Sequence, residues 1–245
     1  MSPTRWIVAS SGGFVATDRW GVLNPGGLVL EALRLSGAAR PRVCLVMTAS
    51  GDDASYLARS YAALASLGCD VDHLALFTMP NRDPEAVLAS SDVVWVGGGS
   101  VANLLSLWRL HGVDTAMRAA WESGTVLAGV SAGSICWHVG GPTDSFGPQL
   151  RIVQDGLGLI PYGNGVHYDS EEQRRPLLQR TVADGILPTS YATDDRIGIL
   201  YEGLEPVAVL ADTEVDPAEG PAAYRVEAVG GTAVETRLPV GAIVD

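Results

Sequence analysis

Short, unbroken apolar runs recur through the first half of the chain, and most are bounded by Gly, Ser, Asp or Pro. Runs of this kind are typical of strands covered on both faces in a parallel sheet, whereas a strand with one wet face alternates apolar and polar residues. We therefore predict five buried strands, at Arg5–Ser10, Val43–Thr48, Val71–Leu76, Val93–Val96 and Thr125–Ala128.

Segments with helical spacing lie between these runs. In Ala54–Leu67 the apolar residues fall on one helical stripe, and Gly68 follows as a C-terminal cap. Asp83 and Pro84 form a helix start that opens Glu85–Ala89. Strands that alternate with helices are joined by right-handed crossovers. The sequence therefore predicts an α/β fold with a doubly wound, mostly parallel sheet.

The C-terminal part of the chain has a different pattern. Val207–Leu210, Ala223–Val229 and Ala233–Leu238 are predicted strands, and Gly230-Gly231 is a turn signal between the last two. We interpret them as a small antiparallel extension that completes the same domain. Because no linker interrupts the chain, we expect one α/β domain over residues 1–245.

Composition excludes several functions. The formal net charge is −12, and the 16 cationic residues are all Arg. Nucleic-acid binding, which needs clustered cationic side chains, is therefore not expected. The absence of Lys excludes lysine Schiff-base chemistry and a P-loop.

Location and partners follow from what the sequence lacks. It has no apolar stretch of about 18 residues and no signal-peptide pattern at its start, so we expect a cytoplasmic protein without a membrane partner. The three widely spaced cysteines suggest reduced thiols, with neither a disulfide framework nor a zinc site. We expect a monomer or a homodimer.

The strongest chemical signal is the segment Gly129-Val130-Ser131-Ala132-Gly133, which follows an apolar strand and precedes a helical stretch. A serine between small residues at a strand-to-helix turn is typical of a nucleophile elbow, which lifts the hydroxyl clear of the sheet. The alternative is a Gly/Ser-rich turn without chemistry. We predict that Ser131 is a nucleophile.

A second glycine cluster, Gly97-Gly98-Gly99-Ser100, follows the strand Val93–Val96 and precedes the helix Val101–Leu110. It lacks the GxGxxG spacing and a lysine, which disfavours a phosphate site. In a hydrolase its backbone N–H groups would supply an oxyanion donor opposite the N–H of Ala132.

A serine nucleophile needs a base, and the chain has four histidines. His73 and His111 are interpreted as structural. His138 would lie about 10 Å beyond the elbow along its helix, too far for a hydrogen bond. His167 lies in a loop rich in turn formers, where catalytic groups of such sheets gather, and it is the candidate base.

The residue that orients the base is open at this point. Asp144 and Asp155 lie between Ser131 and His167, and Asp194 and Asp195 follow a strand-like segment. Either placement suits a triad, because the order of triad residues differs between folds.

Taken together, the glycine cluster before a helix, the Gly-Val-Ser-Ala-Gly-Ser segment, a loop acid and a later histidine resemble the S51 peptidases over roughly residues 5–210. The resemblance implies a class I glutamine amidotransferase-like sheet, Ser131 as nucleophile, His167 as base, and backbone oxyanion donors at Gly98, Gly99 and Ala132. It favours Asp144 as the acid, with Asp195 second, and it implies neither a metal nor an organic cofactor.

Two departures concern the substrate. Ser100 ends the glycine cluster where the family often has Asn, and Glu171 aligns with an arginine that holds an acidic substrate side chain in aspartyl dipeptidases. Arg174 or Arg175 could substitute for that arginine. Glu171 and Glu172 either rim the cleft or stabilise the start of a solvated helix.

We therefore predict a serine peptidase that hydrolyses dipeptides or an isopeptide-like amide. An esterase with the same triad and a non-catalytic binding domain are the alternatives. The expected partner is a small peptide substrate.

Overall fold

A computed structural model describes residues 3–243. Its helices are α1 (Gly27–Leu35), α2 (Ala54–Ala65), α3 (Pro84–Ala89), α4 (Val101–His111), α5 (Val113–Glu122), α6 (Ala132–Ile135) and α7 (Arg174–Ala183). Its first eight strands are β1 (Trp6–Ser10), β2 (Phe14–Ala16), β3 (Leu23–Pro25), β4 (Arg42–Val46), β5 (Asp70–Leu74), β6 (Val93–Val96), β7 (Val126–Val130) and β8 (Gly141–Thr143). The others are β9 (Arg151–Val153), β10 (Gly163–Gly165), β11 (Ser190–Thr193), β12 (Ile197–Glu202), β13 (Glu205–Ala211), β14 (Ala223–Val229), β15 (Thr232–Leu238) and β16 (Gly241–Ala242).

The main sheet has eight strands in the order β16-β13-β12-β1-β7-β6-β4-β5. Five neighbouring strands of this sheet, β1, β7, β6, β4 and β5, are parallel to one another. The strands β12, β13 and β16 extend the sheet with antiparallel pairs on the other side of β1. All five strands predicted from the apolar runs are present, with shifts of one or two residues at their ends. The predicted α/β fold with a mostly parallel sheet is confirmed.

Helices cover both faces of this sheet, as a doubly wound fold requires. One apolar cluster joins the sheet to α3, α4, α5 and α6, and the other joins it to α1 and α2. Alternate residues of β7 enter the two clusters, with Leu127 in the first and Val126 and Ala128 in the second. Burial on both faces explains why these strands are continuously apolar.

The C-terminal strands are antiparallel, as predicted, and they divide between two sheets. β13 forms a hairpin with β12 at the edge of the main sheet, whereas β14 and β15 belong to a second sheet in the order β10-β11-β14-β15. The reason is that β11 precedes β12 and pairs with β14. The predicted domain 1–245 includes residues 1–2 and 244–245, which lie outside the described residues.

Candidate active site

Ser131 stands at the carboxyl end of β7, a central strand of the main sheet. Its backbone is left-handed, with φ 57° and ψ −112°, and its N–H donates to Ser10 O at 2.9 Å. A non-glycine residue with positive φ is strained and is held there by its surroundings. Helix α6 begins at the next residue, so the chain makes the sharp strand-to-helix turn that the sequence predicts.

The glycines on either side of Ser131 are required by close packing against β6. A Cβ atom on Gly133 would lie 2.3 Å from Val96 O, and one on Gly129 would lie 2.3 Å from Gly133 O. Both distances are far below a van der Waals contact, so any larger residue would push the strand and the turn apart. The small residues of the motif therefore allow the turn itself.

The second glycine cluster lies against the elbow. A Cβ atom on Gly98 would meet Ser131 Cβ at 3.2 Å, and Gly99 has φ +134° and packs against Ala49 O. Among the residues that the structure describes, none accepts a hydrogen bond from the N–H groups of Gly98, Gly99 or Ala132. These donors remain available beside the serine. Ser100 caps α4 through a hydrogen bond from Asn103 N–H at 3.3 Å.

His167 and Asp195 form a hydrogen-bonded pair. His167 Nδ1 lies 2.6 Å from Asp195 Oδ1, with side-chain exposures of 24% and 45%. β10, which precedes the histidine, and β11, which precedes the aspartate, are parallel neighbours with Gly165 opposite Ala192. Chains that leave adjacent parallel strands emerge at the same edge, which brings the two side chains together.

The predicted contact between Asp144 and the histidine ring is absent, and the preference for Asp144 over Asp195 is corrected. The Asp144 side chain is 63% exposed, and its carboxylate lies 4.0 Å from the Arg174 guanidinium. The loop after β8 turns towards α4, where Ser145 Oγ accepts the N–H of Ala102 at 3.3 Å. That docking directs Asp144 away from the base.

The other two acids considered also lie elsewhere. Asp194 is buried and accepts the N–H of Ala222 at 2.9 Å and the hydroxyl of Tyr224 at 3.2 Å, and its burial raises its pKa. Asp155 pairs with Arg109 at 2.7 Å on the surface. Both carboxylates have structural partners of their own.

Within residues 3–243 no hydrogen bond joins the Ser131 hydroxyl to the His167 ring. The two side chains instead line neighbouring cavities. Ser131 borders one of about 350 Å³, and His167 borders one of about 490 Å³. In free serine hydrolases the hydrogen bond between the nucleophile and its base is often long or poorly aligned.

The other three histidines do not line either of these two cavities. His138 is fully buried, with Nδ1 2.9 Å from Ser134 O and Nε2 3.2 Å from Tyr201 Oη, and burial lowers its pKa to about 4. It lies beyond the end of the short helix α6. His73 contacts Tyr61 Oη at 2.8 Å, and His111 is the last residue of α4.

The predicted substrate residues divide into two groups. Ser100, Glu171 and Arg174 line the cavity beside Ser131. Arg175 is not among the residues that line either cavity, because its guanidinium stacks over Tyr168 and pairs with Glu235 at 3.1 Å. The predicted role of Arg175 in substrate binding is therefore corrected to a structural one in the contact with Tyr168 and Glu235.

Glu171 lies at the edge of the cavity beside Ser131. The alternative, that it stabilises the start of a solvated helix, does not describe its position. The helix begins three residues later, at Arg174, whose side chain is only 3% exposed. Glu171 binds that guanidinium through contacts of 2.7 and 3.2 Å. Glu172 is exposed and does not line the cavity.

Three polar residues of the site were not predicted from the sequence. Ser11 Oγ accepts the N–H of His167 at 3.0 Å and lies 2.7 Å from Thr193 Oγ1. Asp169 Oδ1 accepts the N–H of Asp195 at 2.9 Å. The only sequence signal for Ser11 is its place directly after a buried strand, at the edge where the elbow also ends.

Metal and membrane features can be stated for the same part of the chain. No group of three or more His, Cys, Asp or Glu side chains suited to a metal ion occurs among the described residues. None of the described helices combines the length and apolar character of a membrane span. The three cysteines are free and buried, and burial raises the pKa of Cys44 to about 12.

Comparisons with known proteins agree with this fold. The model of peptidase family S51 matches residues 21–205, more than half of the chain. The uncharacterized peptidase YgaJ of Bacillus subtilis is 37% identical over 238 residues, which cover 96% of this chain and 98% of that protein. The chain therefore belongs to peptidase family S51, and it is a peptidase.

More distant relatives carry less information. A peptidase E of Streptomyces coelicolor is 33% identical over 140 residues, and the match spans 53% of this chain and 52% of that protein, about half of each. The crystal structure of a peptidase from an acI-B1 Actinobacterium has a TM-score of 0.71 at 14% identity, covering 99% of this chain and 98% of that one. At that identity the likeness is one of fold.

Proposed function

We propose that the protein is a serine peptidase whose triad is Ser131, His167 and Asp195, and that it hydrolyses dipeptides or an isopeptide-like amide. The observation that carries the proposal is the pairing of His167 with Asp195 near the strained Ser131 turn: the N–H of His167 donates to Ser11 Oγ, and the N–H of Ser131 donates to the adjacent Ser10 O. Acyl transfer needs a nucleophile and a base. The turn exposes the serine, and a carboxylate already holds the histidine.

Each member of the triad has a distinct role. Because Asp195 occupies Nδ1 of His167, it holds the imidazole with Nε2 free to act as the base. His167 takes the proton of the Ser131 hydroxyl as Oγ attacks the substrate carbonyl carbon, and then gives that proton to the leaving amine. Water hydrolyses the resulting acyl-enzyme by the same steps in reverse.

The tetrahedral oxyanion is stabilised by backbone donors. The N–H groups of Gly98, Gly99 and Ala132 have no acceptor in the described part of the chain, and Gly98 lies against Ser131 Cβ. Donors that are fixed before the reaction stabilise developing negative charge without reorganising. The removal of one such donor typically costs about 100- to 1,000-fold in rate.

The first test is covalent labelling with a fluorophosphonate probe, which reacts only with an activated serine. The unmodified protein should be labelled at Ser131 and should cleave members of a dipeptide library detected by mass spectrometry. Ser131→Ala should lose labelling and about a million-fold in turnover while its circular dichroism spectrum is unchanged. A folded Ser131→Ala variant that still turns over substrate would contradict the proposal.

The same experiment separates the alternatives. A non-catalytic binding domain would resist the probe. An esterase would be labelled but would cleave esters and leave every peptide of the library intact.

A further inference from the structure

The cavity on the His167 side is larger than the one beside Ser131 and has a different chemistry. Its volume is about 490 Å³, and it lies between the β2–β3 hairpin, α2 and the end of β11. Several of its walls are apolar or aromatic, among them Phe14, Leu23, Tyr56 and Val130. By contrast, the cavity beside Ser131 is lined mostly by polar and charged residues.

The chemistry of the proposed triad assigns the two cavities to different parts of the substrate. The histidine gives its proton to the leaving amine, so the leaving group must lie on the histidine side of the scissile bond. His167 and Asp195 line the larger cavity, and Ser131 lines the smaller one. The larger cavity therefore faces the leaving group.

Two arginines, Arg59 and Arg196, are also among the residues that line the larger cavity. Within residues 3–243 neither forms an ion pair, although the chain has 28 acidic residues against 16 arginines. The contact made by the Arg59 guanidinium is a hydrogen bond from Nε to Ser55 O at 3.3 Å. Neither guanidinium group is therefore neutralised by an ion pair within the described residues.

The two carboxylates of the same cavity are already engaged. Asp195 is bound to His167 at 2.6 Å. Asp212 accepts the N–H groups of Gly13 at 2.6 Å and Leu28 at 3.3 Å; burial raises its pKa, while the charge of Arg196 acts in the opposite direction. Neither carboxylate forms an ion pair with Arg59 or Arg196 in the described part of the chain, so both guanidinium groups can bind a ligand carboxylate.

The backbone of Arg196 gives independent support. Four non-glycine residues have positive φ among those described, and three of them, Ser131, His167 and Arg196, border these two cavities. Arg196 has φ 66°, and hydrogen bonds to Ser11 O and from the N–H of Asp212 fix its backbone. Strained residues that the fold holds in place concentrate at functional sites.

We propose that the larger cavity is the leaving-group subsite and that Arg59 and Arg196 bind the free carboxylate of an apolar C-terminal residue. The inference rests on the proposed peptidase function. Its substrate class is short peptides that end in an apolar residue next to the scissile bond. Guanidinium groups bind carboxylates through paired, charge-assisted hydrogen bonds, which a neutral amide cannot form.

The test compares two matched substrate pools. One contains the twenty Xaa-Leu dipeptides, and the other contains the same dipeptides as C-terminal amides. Hydrolysis in competition is followed by mass spectrometry. The unmodified protein should favour the free acids by about 10- to 100-fold in kcat/KM. The double variant Arg59→Gln/Arg196→Gln should bring that ratio towards one.

The ratio is informative even if the double variant loses overall activity, because both pools share one enzyme. Arg19→Gln is the matched control, since it removes a cation from the turn of the same hairpin but not from the cavity. Equal hydrolysis of acids and amides by the unmodified protein would overturn the inference. The inference would also be overturned if the ratio of acid to amide kcat/KM were as unchanged in the double variant as in Arg19→Gln.

The fluorophosphonate probe separates this failure from failure of the triad. A protein that the probe labels at Ser131 but that hydrolyses neither pool would overturn the subsite and leave the triad standing. A protein that is not labelled would overturn the proposed function itself, and the subsite with it.

Discussion

Ser11 connects three parts of the candidate site through one buried hydroxyl, which makes Ser11→Ala a sharp perturbation. Its Oγ atom accepts the N–H of His167 at 3.0 Å, and it lies 2.7 Å from Thr193 Oγ1 and 3.1 Å from Thr193 O. The residue is 5% exposed, so water does not replace the hydroxyl freely. Alanine at this position leaves the histidine N–H without its acceptor.

The size of the effect follows from that unpaired donor. A buried polar group without a partner costs about 1–3 kcal/mol. His167 holds φ 51°, a strained conformation that this hydrogen bond supports, so part of the cost is relieved if the histidine moves. Since about 1.4 kcal/mol corresponds to a factor of ten, we expect labelling of Ser131 to slow by about 10- to 100-fold. Stability should fall by about 1–2 kcal/mol.

Labelling by the fluorophosphonate probe is the assay, because it needs no known substrate, and urea unfolding gives the stability. Ser60→Ala is the matched control. It deletes the same atom from a fully buried serine whose hydroxyl has no hydrogen-bond partner, so it should leave the labelling rate unchanged and should not reduce stability. Ser11→Ala labelled at the rate of Ser60→Ala would refute a positioning role.

Three further predictions rest on contacts within the fold. Asp195→Asn should slow turnover by about 100- to 10,000-fold, because a neutral amide no longer stabilises the protonated histidine, whereas Asp144→Asn should retain most activity; the reverse order in kcat would contradict the assignment. Burial lowers the pKa of His138 from 6.5 to about 4, so the unfolded chain binds that proton more tightly, and the contribution of this group to stability should fall as the pH drops from about 6.5 towards 4, by up to about 3 kcal/mol. Urea unfolding at several pH values should show a weaker pH dependence of the free energy of unfolding in His138→Gln. The same pH dependence in both proteins would exclude this contribution of His138. Gly133→Ala should lower stability by about 3 kcal/mol because its Cβ meets Val96 O at 2.3 Å, and an unchanged urea midpoint would show that the strand yields without cost.

Local patterns predicted the elements whose chemistry is local. The continuous apolar runs located the five parallel strands because burial on both faces leaves no polar position in them. The elbow was predictable for a similar reason. The close approach of Gly133 to Val96 O admits only small residues, and the small residues on both sides of Ser131 are visible in the sequence.

Contacts between distant segments could not be predicted in the same way. Asp195 meets His167 because β11 pairs in parallel with β10, and the sequence does not show that pairing, since these are strands of three and four residues in a second sheet. The resemblance to the S51 peptidases favoured Asp144, but the docking of its loop on α4 depends on a tertiary contact from Ser145. The role of Ser11 depends likewise on residues more than 150 positions away.

Glu171 offers a test of the cavity beside Ser131, whose charge is set by three groups. Arg174 is buried there, bound by Glu171 and by Pro142 O at 2.5 Å, with Asp144 4.0 Å away. Two carboxylates against one guanidinium give the cavity a net negative charge. An acidic substrate side chain should therefore be repelled, and neutral or basic ones accepted.

Glu171→Gln removes one of those charges while keeping an oxygen that can accept a hydrogen bond from Arg174. The guanidinium then has no bidentate carboxylate partner, so it can bind an acidic side chain in the acyl part of the substrate. We expect the kcat/KM ratio of Asp-Leu to Ala-Leu, measured in competition, to rise by about tenfold. Glu172→Gln is the matched control, because it removes the same charge from the exposed neighbour outside the cavity. An equal ratio in the two variants would show that Glu171 acts only as a structural partner of Arg174 and that its charge does not select the substrate.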